Sequence, residues 1–239
     1  MTPAPSGSAD DEDYGIDLQN PYHALRLEQT LRMLGLAPLR VLDVGCGRGQ
    51  FAREMSIRHR VVGLDRNWDA VSVAASERPH AHWVVGDGCA LPFRAGAFDA
   101  VVLNNIVEHV ADPGALLREA ASVARGEGGV VVSTPNRLHP RNVLRLLFRR
   151  ALEIRHVTHV QEFTPGEMRR LAAREGLTQT DMLYDPPPLI EWTDRRAPFF
   201  NVFIAALRLL RPRGFCYNAY YRFMPSGRTQ GEPSARQNP

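Results

Sequence analysis

A glycine-rich turn is the first place where residue spacing suggests chemistry, since residues 41–51 read VLDVGCGRGQF. An apolar run and Asp43 lead into Gly45, Gly47 and Gly49, and helix-forming sequence follows. This order predicts a strand, a tight turn and a helix start, which bring backbone N–H groups close to a ligand. A dinucleotide fingerprint needs a third Gly or Ala three places after the second glycine, and this chain lacks it. A carboxylate two residues before the first glycine would repel a pyrophosphate and suits a ligand with an ammonium or sulfonium group.

A second carboxylate, Asp65, stands at the end of the next apolar run, Arg60–Asp65. A carboxylate at the C-terminus of a second strand can accept hydrogen bonds from both hydroxyls of a ribose. An acid after a strand is also a common helix N-cap, and this structural alternative stays open. Together with the glycine turn, Asp65 favours S-adenosylmethionine over NAD as the cofactor.

Two further polar positions fit such a cofactor. Asp87, in the turn Gly86-Asp87-Gly88, could accept the exocyclic amine of an adenine, with the apolar residues beyond it enclosing the ring. Arg26 lies on the helix predicted to begin at Asn20, and arginine is well shaped to hold a carboxylate in two parallel bonds. The alternatives are a plain turn aspartate and a solvated surface arginine.

Methyl transfer from a sulfonium needs alignment of the reactants and one base that removes a proton from the acceptor. His109 is the first candidate for this base, because it follows the predicted fourth strand and an unperturbed histidine titrates near neutrality. His159 is the second candidate. Each histidine has the alternative of a hydrogen bond within its own loop, and Glu108 either orients the base or is structural.

Short apolar runs alternate with helical segments along the chain, which predicts a parallel, doubly wound sheet. The strands are expected at the start of 41–51 and at 60–65, 82–85, 98–103, 128–134, 178–184 and 215–224. In such sheets ligands bind at the C-terminal edge of the strands. Asp43, Asp65, Asp87 and Asn104 all fall on that edge.

Composition limits the architecture to one main domain. The chain has 239 residues, 44% of them hydrophobic, which is enough for one substantial core. We expect that domain at 20–224, with polar disordered tails at 1–19 and 225–239. Three separated cysteines without zinc-site spacing, and no signal-peptide pattern at the N-terminus, predict a cytoplasmic protein.

Two segments interrupt the alternation, at about 137–160 and 186–213. The stretch 137–159 carries six arginines and one glutamate among apolar residues, which suits either a membrane-surface helix or a lid over the substrate. Residues 199–210 are almost entirely apolar but too short to span a bilayer, so they form a buried or an interfacial helix. An anionic membrane surface, at the inner face of the membrane, is therefore a candidate partner.

The chain from about 20 to 224 resembles the class I S-adenosylmethionine-dependent methyltransferases of the type that includes the ubiquinone-biosynthesis O-methyltransferases. The motifs that carry the resemblance are VLDVGCGRG, GLD, GDGCALPF, FDAVVLNN…VEHV and GGVVVSTPNR; NPYHALRLE and THVQEFTP resemble the quinone enzymes more specifically. This resemblance implies an α/β fold with a Rossmann-like, doubly wound sheet of seven strands and with helical insertions. The sheet is expected to be mostly parallel, with the last strand antiparallel.

The resemblance also implies roles for residues. Arg26 would hold the methionine end of the cofactor, the Gly45–Gly49 turn would lie under it, Asp65 would take the ribose, Asp87 would approach the adenine and Asn104 would line the cofactor. We include Asp43, Cys46, Arg66 and Gly88 from the same turns. Some quinone-type relatives bind a divalent metal through Glu-x-x-Glu-His, but Asn105 replaces the first carboxylate here, so we assign no metal site.

The expected function is O-methylation of a small amphipathic acceptor such as a phenolic quinone precursor. A methyltransferase for a glycan or another specialised metabolite is the alternative within enzymes. From another class, a cofactor-binding partner subunit without turnover stays open. No nucleic acid is expected, because the basic segments lack the interleaved aromatic residues of a base-stacking surface, and the sequence leaves the oligomeric state open.

Overall fold

The computed structural model of the chain describes residues 18–77, 81–138, 160–185 and 216–226. Its helices are α1 (Pro21–Leu34), α2 (Gln50–Met55), α3 (Trp68–Glu77), α4 (Pro113–Val123) and α5 (Pro165–Arg174). Its strands are β1 (Arg40–Val44), β2 (Arg60–Asp65), β3 (His82–Val85), β4 (Phe98–Asn104), β5 (Ala124–Pro135), β6 (Leu177–Tyr184) and β7 (Asn218–Pro225).

The strands form a seven-stranded sheet in the order β3-β2-β1-β4-β5-β7-β6. The first five strands run parallel, whereas β7 is antiparallel to both of its neighbours, β5 and β6. The strand order reverses beside β1, which is where ligands bind in doubly wound sheets. The predicted seven-stranded, mostly parallel sheet with its last strand antiparallel is confirmed.

A side-chain cap followed by a proline begins three of the helices. The Asn20 side chain accepts a hydrogen bond from the N–H of Tyr22 before α1, and Asp112 accepts one from the N–H of Ala115 before α4. Thr164 and Glu167 form a reciprocal capping box at the start of α5. In each case a proline follows the cap, where its missing N–H costs no hydrogen bond. The start of α1 is where the sequence predicts it.

The sheet separates two hydrophobic cores. Alternate residues of the central strands face opposite sides, because side chains in a strand alternate with a period of two. Leu116 and Leu117 of α4 and Met168 of α5 lie in one core. Met33 of α1 and Phe51 of α2 lie in the other. On this second side of the sheet, α1 packs against β5 and β7.

The two largest differences from the predicted strand boundaries are at the starts of β5 and β7. β5 begins at Ala124 rather than at 128, because Gly126 lets the chain pass close to Asp99, where an added Cβ would lie 2.6 Å from the Asp99 Cα. β7 begins at Asn218 and continues to Pro225, and the N–H of Ser226 then donates to the carbonyl of Gly176 at 2.6 Å. β7 thus extends one residue past 224, and the domain bounds 20–224 stay a prediction.

Most of the two predicted insertions, and most of both predicted tails, lie outside the described residues. So does His159, the second candidate base. No helix in the described part of the chain is both long and apolar enough to cross a membrane.

Candidate cofactor site

The glycine turn between β1 and α2 has a conformation that favours glycine. Gly45, Gly47 and Gly49 have φ angles of 76°, 52° and 78°, in the left-handed region. A Cβ at position 45 would also lie 2.5 Å from Ile106 Cδ1, so the Ile106 side chain would have to move to admit it. The N–H groups of Gly45 and Cys46 both donate to the carbonyl of Leu64, at 2.7 and 3.1 Å, which ties the turn to β2.

Asp65, the last residue of β2, shapes this turn. The backbone N–H of Gly47 donates to Asp65 Oδ2 at 2.9 Å, and the N–H of Asn67 donates to Asp65 Oδ1 at 2.9 Å. Each carboxylate oxygen has a second lone pair, so the carboxylate still has acceptor capacity. The helix N-cap at this point is Asn67, whose side chain accepts from the N–H groups of Asp69 and Ala70. Asp65 thus holds the loop, and ribose binding by Asp65 stays a prediction.

Asp43 is buried beside Asp65, with only 2% of its surface exposed. Burial and, to a smaller extent, the negative charge of Asp65 together raise the pKa of Asp43 to about 7, against the opposing effect of the Arg26 guanidinium. A cation brought next to Asp43 would favour its ionised form. This is the electrostatic environment that the sequence predicts for an ammonium or sulfonium ligand.

Arg26 reaches the same region from α1. It is half-buried, and its guanidinium carbon lies 4.8 Å from the centroid of the Phe51 ring. Burial lowers the pKa of Arg26 from its usual value, opposed by Tyr220, Glu108, Asp185 and Asp43. Its Nε is buried and finds no hydrogen-bond partner among the described residues. An unpartnered buried donor costs free energy, and a ligand carboxylate would satisfy it.

Asn104, at the end of β4, presents a second unsatisfied donor. Its Oδ1 lies 3.0 Å from both Thr30 Oγ1 and Ser133 Oγ, whereas its buried Nδ2 has no partner in the described part of the chain. The edge therefore combines a tight glycine turn, two unsatisfied donors and the carboxylates of Asp43 and Asp65. This set fits S-adenosylmethionine, which carries a carboxylate, a cationic sulfur, an amine and a ribose.

The remaining predicted cofactor residues lie around this centre. Asp87 and Arg66 are exposed, and Asp87 Oδ1 accepts from the N–H of Cys89 at 2.8 Å within its own turn. An added Cβ on Gly88 would approach Val44 and Leu116 within 2.9 Å, so this glycine also serves the packing of the core. Burial raises the pKa of the Cys46 thiol, which stays protonated. Contacts between these four residues and the cofactor remain predictions.

Glu108 and His109 differ in their surroundings. Glu108 is fully buried, its carboxylate accepts a hydrogen bond from Thr134 Oγ1 at 3.2 Å, and its charge acts on Arg26. Its backbone carbonyl accepts from the N–H groups of Val160 and Gln161. His109 is half-buried, and its backbone N–H donates to the backbone carbonyl of Ile106 at 2.9 Å. These contacts favour a structural role for Glu108 and leave His109 as the candidate base.

Asn105 occupies the position where the resemblance places a metal-binding carboxylate. It has a φ of 49°, which asparagine tolerates better than most residues, and its Oδ1 lies 2.9 Å from Ser133 Oγ. In residues 18–77, 81–138, 160–185 and 216–226, no group of three or more His, Cys, Asp or Glu residues is placed to hold a metal ion.

Sequence reasoning missed one buried carboxylate at this edge, Asp185. It follows β6, is 3% exposed, and accepts hydrogen bonds from Tyr220 and Asn218 of β7, both at 2.7 Å. The available signal was the one that identified Asp65: an acid directly after a strand.

A cavity of about 400 Å³ lies away from the cofactor residues, and none of them lines it. Its lining includes Pro113, Arg137, Phe163, Arg170 and Arg174.

Comparisons with known proteins agree with this geometry. The methyltransferase domain family model matches residues 18–181. A ubiquinone biosynthesis O-methyltransferase of Xanthomonas axonopodis pv. citri (strain 306) is 33% identical over 190 residues, covering 70% of this chain and 77% of that protein.

Solved structures show the same fold at lower identity. A TehB-like S-adenosylmethionine-dependent methyltransferase from Corynebacterium glutamicum has a TM-score of 0.59 at 18% identity, covering 91% of this chain and 99% of its own. The magnesium protoporphyrin IX methyltransferase from Synechocystis, with bound S-adenosylhomocysteine, has a TM-score of 0.60 at 15% identity, covering 90% and 92%. With the family match over most of the chain and a glycine turn and acidic edge suited to S-adenosylmethionine, the chain belongs to the class I S-adenosylmethionine-dependent methyltransferases.

Proposed function

We propose that this methyltransferase transfers a methyl group to a hydroxyl oxygen of a small amphipathic acceptor, such as a phenolic quinone precursor. The observation that carries the proposal is the 33% identity, over 70% of the chain, to a protein named as a ubiquinone biosynthesis O-methyltransferase. Identity at this level supports the reaction class more strongly than it supports one acceptor.

The described residues suggest how the chain would serve this reaction. S-adenosylmethionine supplies a methyl group already activated by its sulfonium. Arg26 and Asn104 offer donors to the amino-acid end, Asp43 offers a negative charge to the cationic groups, and Asp65 offers acceptors to the ribose. These contacts would set the direction from which the acceptor oxygen approaches the methyl group. Alignment of two reactants in this way lowers the barrier of a displacement.

His109 is our proposed base. It follows β4 at the ligand edge and is half-buried, so an acceptor could reach it. Removing the proton from the acceptor oxygen increases its negative charge as the new C–O bond forms, and a group that titrates near neutrality suits this task. Glu108, which is fully buried, is in our proposal a structural partner of Thr134 and Arg26.

We further propose that the segments 137–160 and 186–213 cover the acceptor or touch an anionic membrane surface. Their arginine-rich, apolar sequences carry this idea, and most of both segments lies outside the described residues. Flotation with anionic vesicles tests it. Association at low ionic strength and release by about 0.5 M salt is the expected result, because screening then extends only a few ångströms. Absence of lipid association would favour a lid and a water-soluble acceptor such as a glycan.

The reaction itself is tested with S-adenosylmethionine that carries an isotope-labelled methyl group. The protein is incubated with phenolic quinone precursors and lipid, and with glycans in a parallel reaction, and products are identified by mass spectrometry. The proposal expects the label on a phenolic oxygen, with much less labelled product from the Asp65→Ala variant when the cofactor concentration is near the Kd of the parent. Label found only on a glycan, or on nitrogen or carbon, would contradict it.

A further inference from the structure

His109 lies in the turn that leads from β4 towards α4. Within this turn its backbone N–H donates to the Ile106 carbonyl at 2.9 Å, and the N–H of Asn105 donates to the Ser133 carbonyl of β5 at 3.0 Å. The start of the turn is therefore tied to the sheet. A base works only while its ring stays within hydrogen-bond reach of the acceptor oxygen, so the turn also needs support beyond His109.

That support comes from residues 160 and 161, which are distant from the turn in sequence. The backbone N–H groups of Val160 and Gln161 both donate to the Glu108 carbonyl, at 2.9 and 3.3 Å. The side chain of Gln161 reaches further along the turn, and its Nε2 donates to the Val110 carbonyl at 3.4 Å. Gln161 thus holds the backbone on both sides of His109, once through its main chain and once through its amide.

The segment that carries Gln161 is itself anchored. Phe163 is buried and pairs with Asn136 in an isolated parallel bridge, and the N–H of Arg137 donates to the Phe163 carbonyl at 3.1 Å. The Arg137 guanidinium donates to the Glu162 carbonyl at 3.3 Å and pairs with Glu167 of α5. The segment is therefore attached both to the end of β5 and to the start of α5, which makes it a fixed support for the turn.

We propose that Gln161 is a positioning residue that holds the turn around His109 and so keeps the imidazole within reach of the acceptor oxygen. The inference rests on the proposed function, in which His109 removes the proton. The hydrogen bonds of Gln161 go to the backbone of the turn. Its loss should therefore affect the chemical step and leave cofactor affinity unchanged.

Gln161→Met is the test variant, because it removes the side-chain donor and keeps both the chain length and the backbone hydrogen bond. Gln179→Met is the matched control, at another half-buried glutamine near the N-terminal end of β6. Hydrogen–deuterium exchange followed by mass spectrometry reports how readily the turn opens. Peptides that cover residues 105–112 should exchange several-fold faster in Gln161→Met and at the parental rate in Gln179→Met. Unchanged exchange in Gln161→Met would overturn the proposal.

Kinetics then test the effect on the reaction, with an alkyl-substituted catechol, a simple phenolic quinone precursor, as the acceptor. We expect kcat of Gln161→Met to fall on the order of tenfold, because a small displacement of a reacting group has a large effect on rate. The affinity for S-adenosylhomocysteine, measured by calorimetry, should stay within about twofold of the parent, since a bound ligand reports the loss of folded structure. Gln179→Met should match the parent in both measurements.

The His109→Ala background separates a positioning role from a general structural one. There Gln161→Met should cause no further loss of kcat, since both changes act through one imidazole. Losses that multiply, a parental kcat in Gln161→Met, or a parallel loss of S-adenosylhomocysteine affinity would each overturn the role of Gln161 alone. A parental kcat in His109→Ala would instead overturn the assignment of the base, and the role of Gln161 with it.

Discussion

The carboxyl groups of Asp43 and Asp65 share one buried site, 2% and 6% exposed, at the ends of adjacent strands β1 and β2. The charge of Asp65 adds to burial in raising the pKa of Asp43 to about 7, and Arg26 opposes both. Asp65 accepts hydrogen bonds from two backbone N–H groups, which stabilise its negative charge. The protonation state of Asp43, in contrast, depends on the charge of whatever is bound beside it.

Cofactor binding should therefore be coupled to a proton on Asp43. A bound cation favours the ionised carboxylate, so the affinity for S-adenosylmethionine should rise as pH increases through about 7, with about half a proton released per site near that pH. Calorimetry in buffers of different ionisation enthalpy counts these protons. Asp43→Asn is the control for titration of the ligand's own amine, and an equal proton count in this variant would contradict the prediction.

The same group sets a pH dependence for the ligand-free protein. Unfolded, Asp43 ionises near its usual pKa of 3.8, whereas the folded protein keeps the proton to about pH 7. The contribution of Asp43 to the free energy of unfolding is thus complete below the lower value and is lost as pH rises through about 7. Urea unfolding at pH 5 and pH 8 measures this effect. The free energy of unfolding of Asp43→Asn, relative to that of the parent, should be higher at pH 8 than at pH 5.

Gly45→Ala should damage both stability and cofactor binding. Its φ of 76° and the 2.5 Å approach of a Cβ to Ile106 make alanine strained and crowded in the turn. Gly35→Ala is the matched control, because Gly35 has a φ of 80° but open space around it, at the end of α1. Each change should cost about 1–3 kcal/mol in the free energy of unfolding, and only Gly45→Ala should reduce the affinity for S-adenosylhomocysteine. Equal affinities in the two variants would remove the turn from the site.

His109→Ala should lower kcat by about a hundredfold while leaving the affinity for S-adenosylhomocysteine nearly intact, as expected for loss of a general base. The assay uses the acceptor identified by isotope transfer. His82→Ala, at an exposed position on β3, is the control and should keep parental activity. If His109→Ala stayed within a few-fold of the parent at neutral pH, the base would lie elsewhere, and His159 would be tested next.

Much of the fold could be predicted from local sequence. Asn20-Pro21, Asp112-Pro113 and Thr164 with Glu167 mark helix starts through caps that involve neighbouring residues only. The strands β2 and β3 end where the apolar runs end. The glycine turn and Asp65 are likewise local signals, joined by strands that are adjacent in both sequence and space.

What could not be predicted depends on contacts between distant residues. Asp185 and Tyr220 are separated by the segment 186–215, and only the antiparallel pairing of β6 with β7 brings them together. The start of β5 depends on close passage beside Asp99, which itself forms a bidentate pair with Arg40, 59 residues earlier in the sequence. The raised pKa of Asp43 arises from the combined burial and charge of β1, β2 and α1, which periodicity does not report.

The most direct measurement is a calorimetric titration of S-adenosylhomocysteine and NAD into the parent protein and Asp65→Ala. Asp65 both holds Gly47 and is the predicted ribose acceptor, so its loss should weaken S-adenosylhomocysteine binding by roughly 2 kcal/mol or more, while Asp69→Ala, at an exposed position on α3, should have no effect. NAD should give no binding heat with any of the three proteins. An unchanged affinity in Asp65→Ala, or binding of NAD by the parent, would contradict the placement of an adenosyl cofactor across this edge of the sheet.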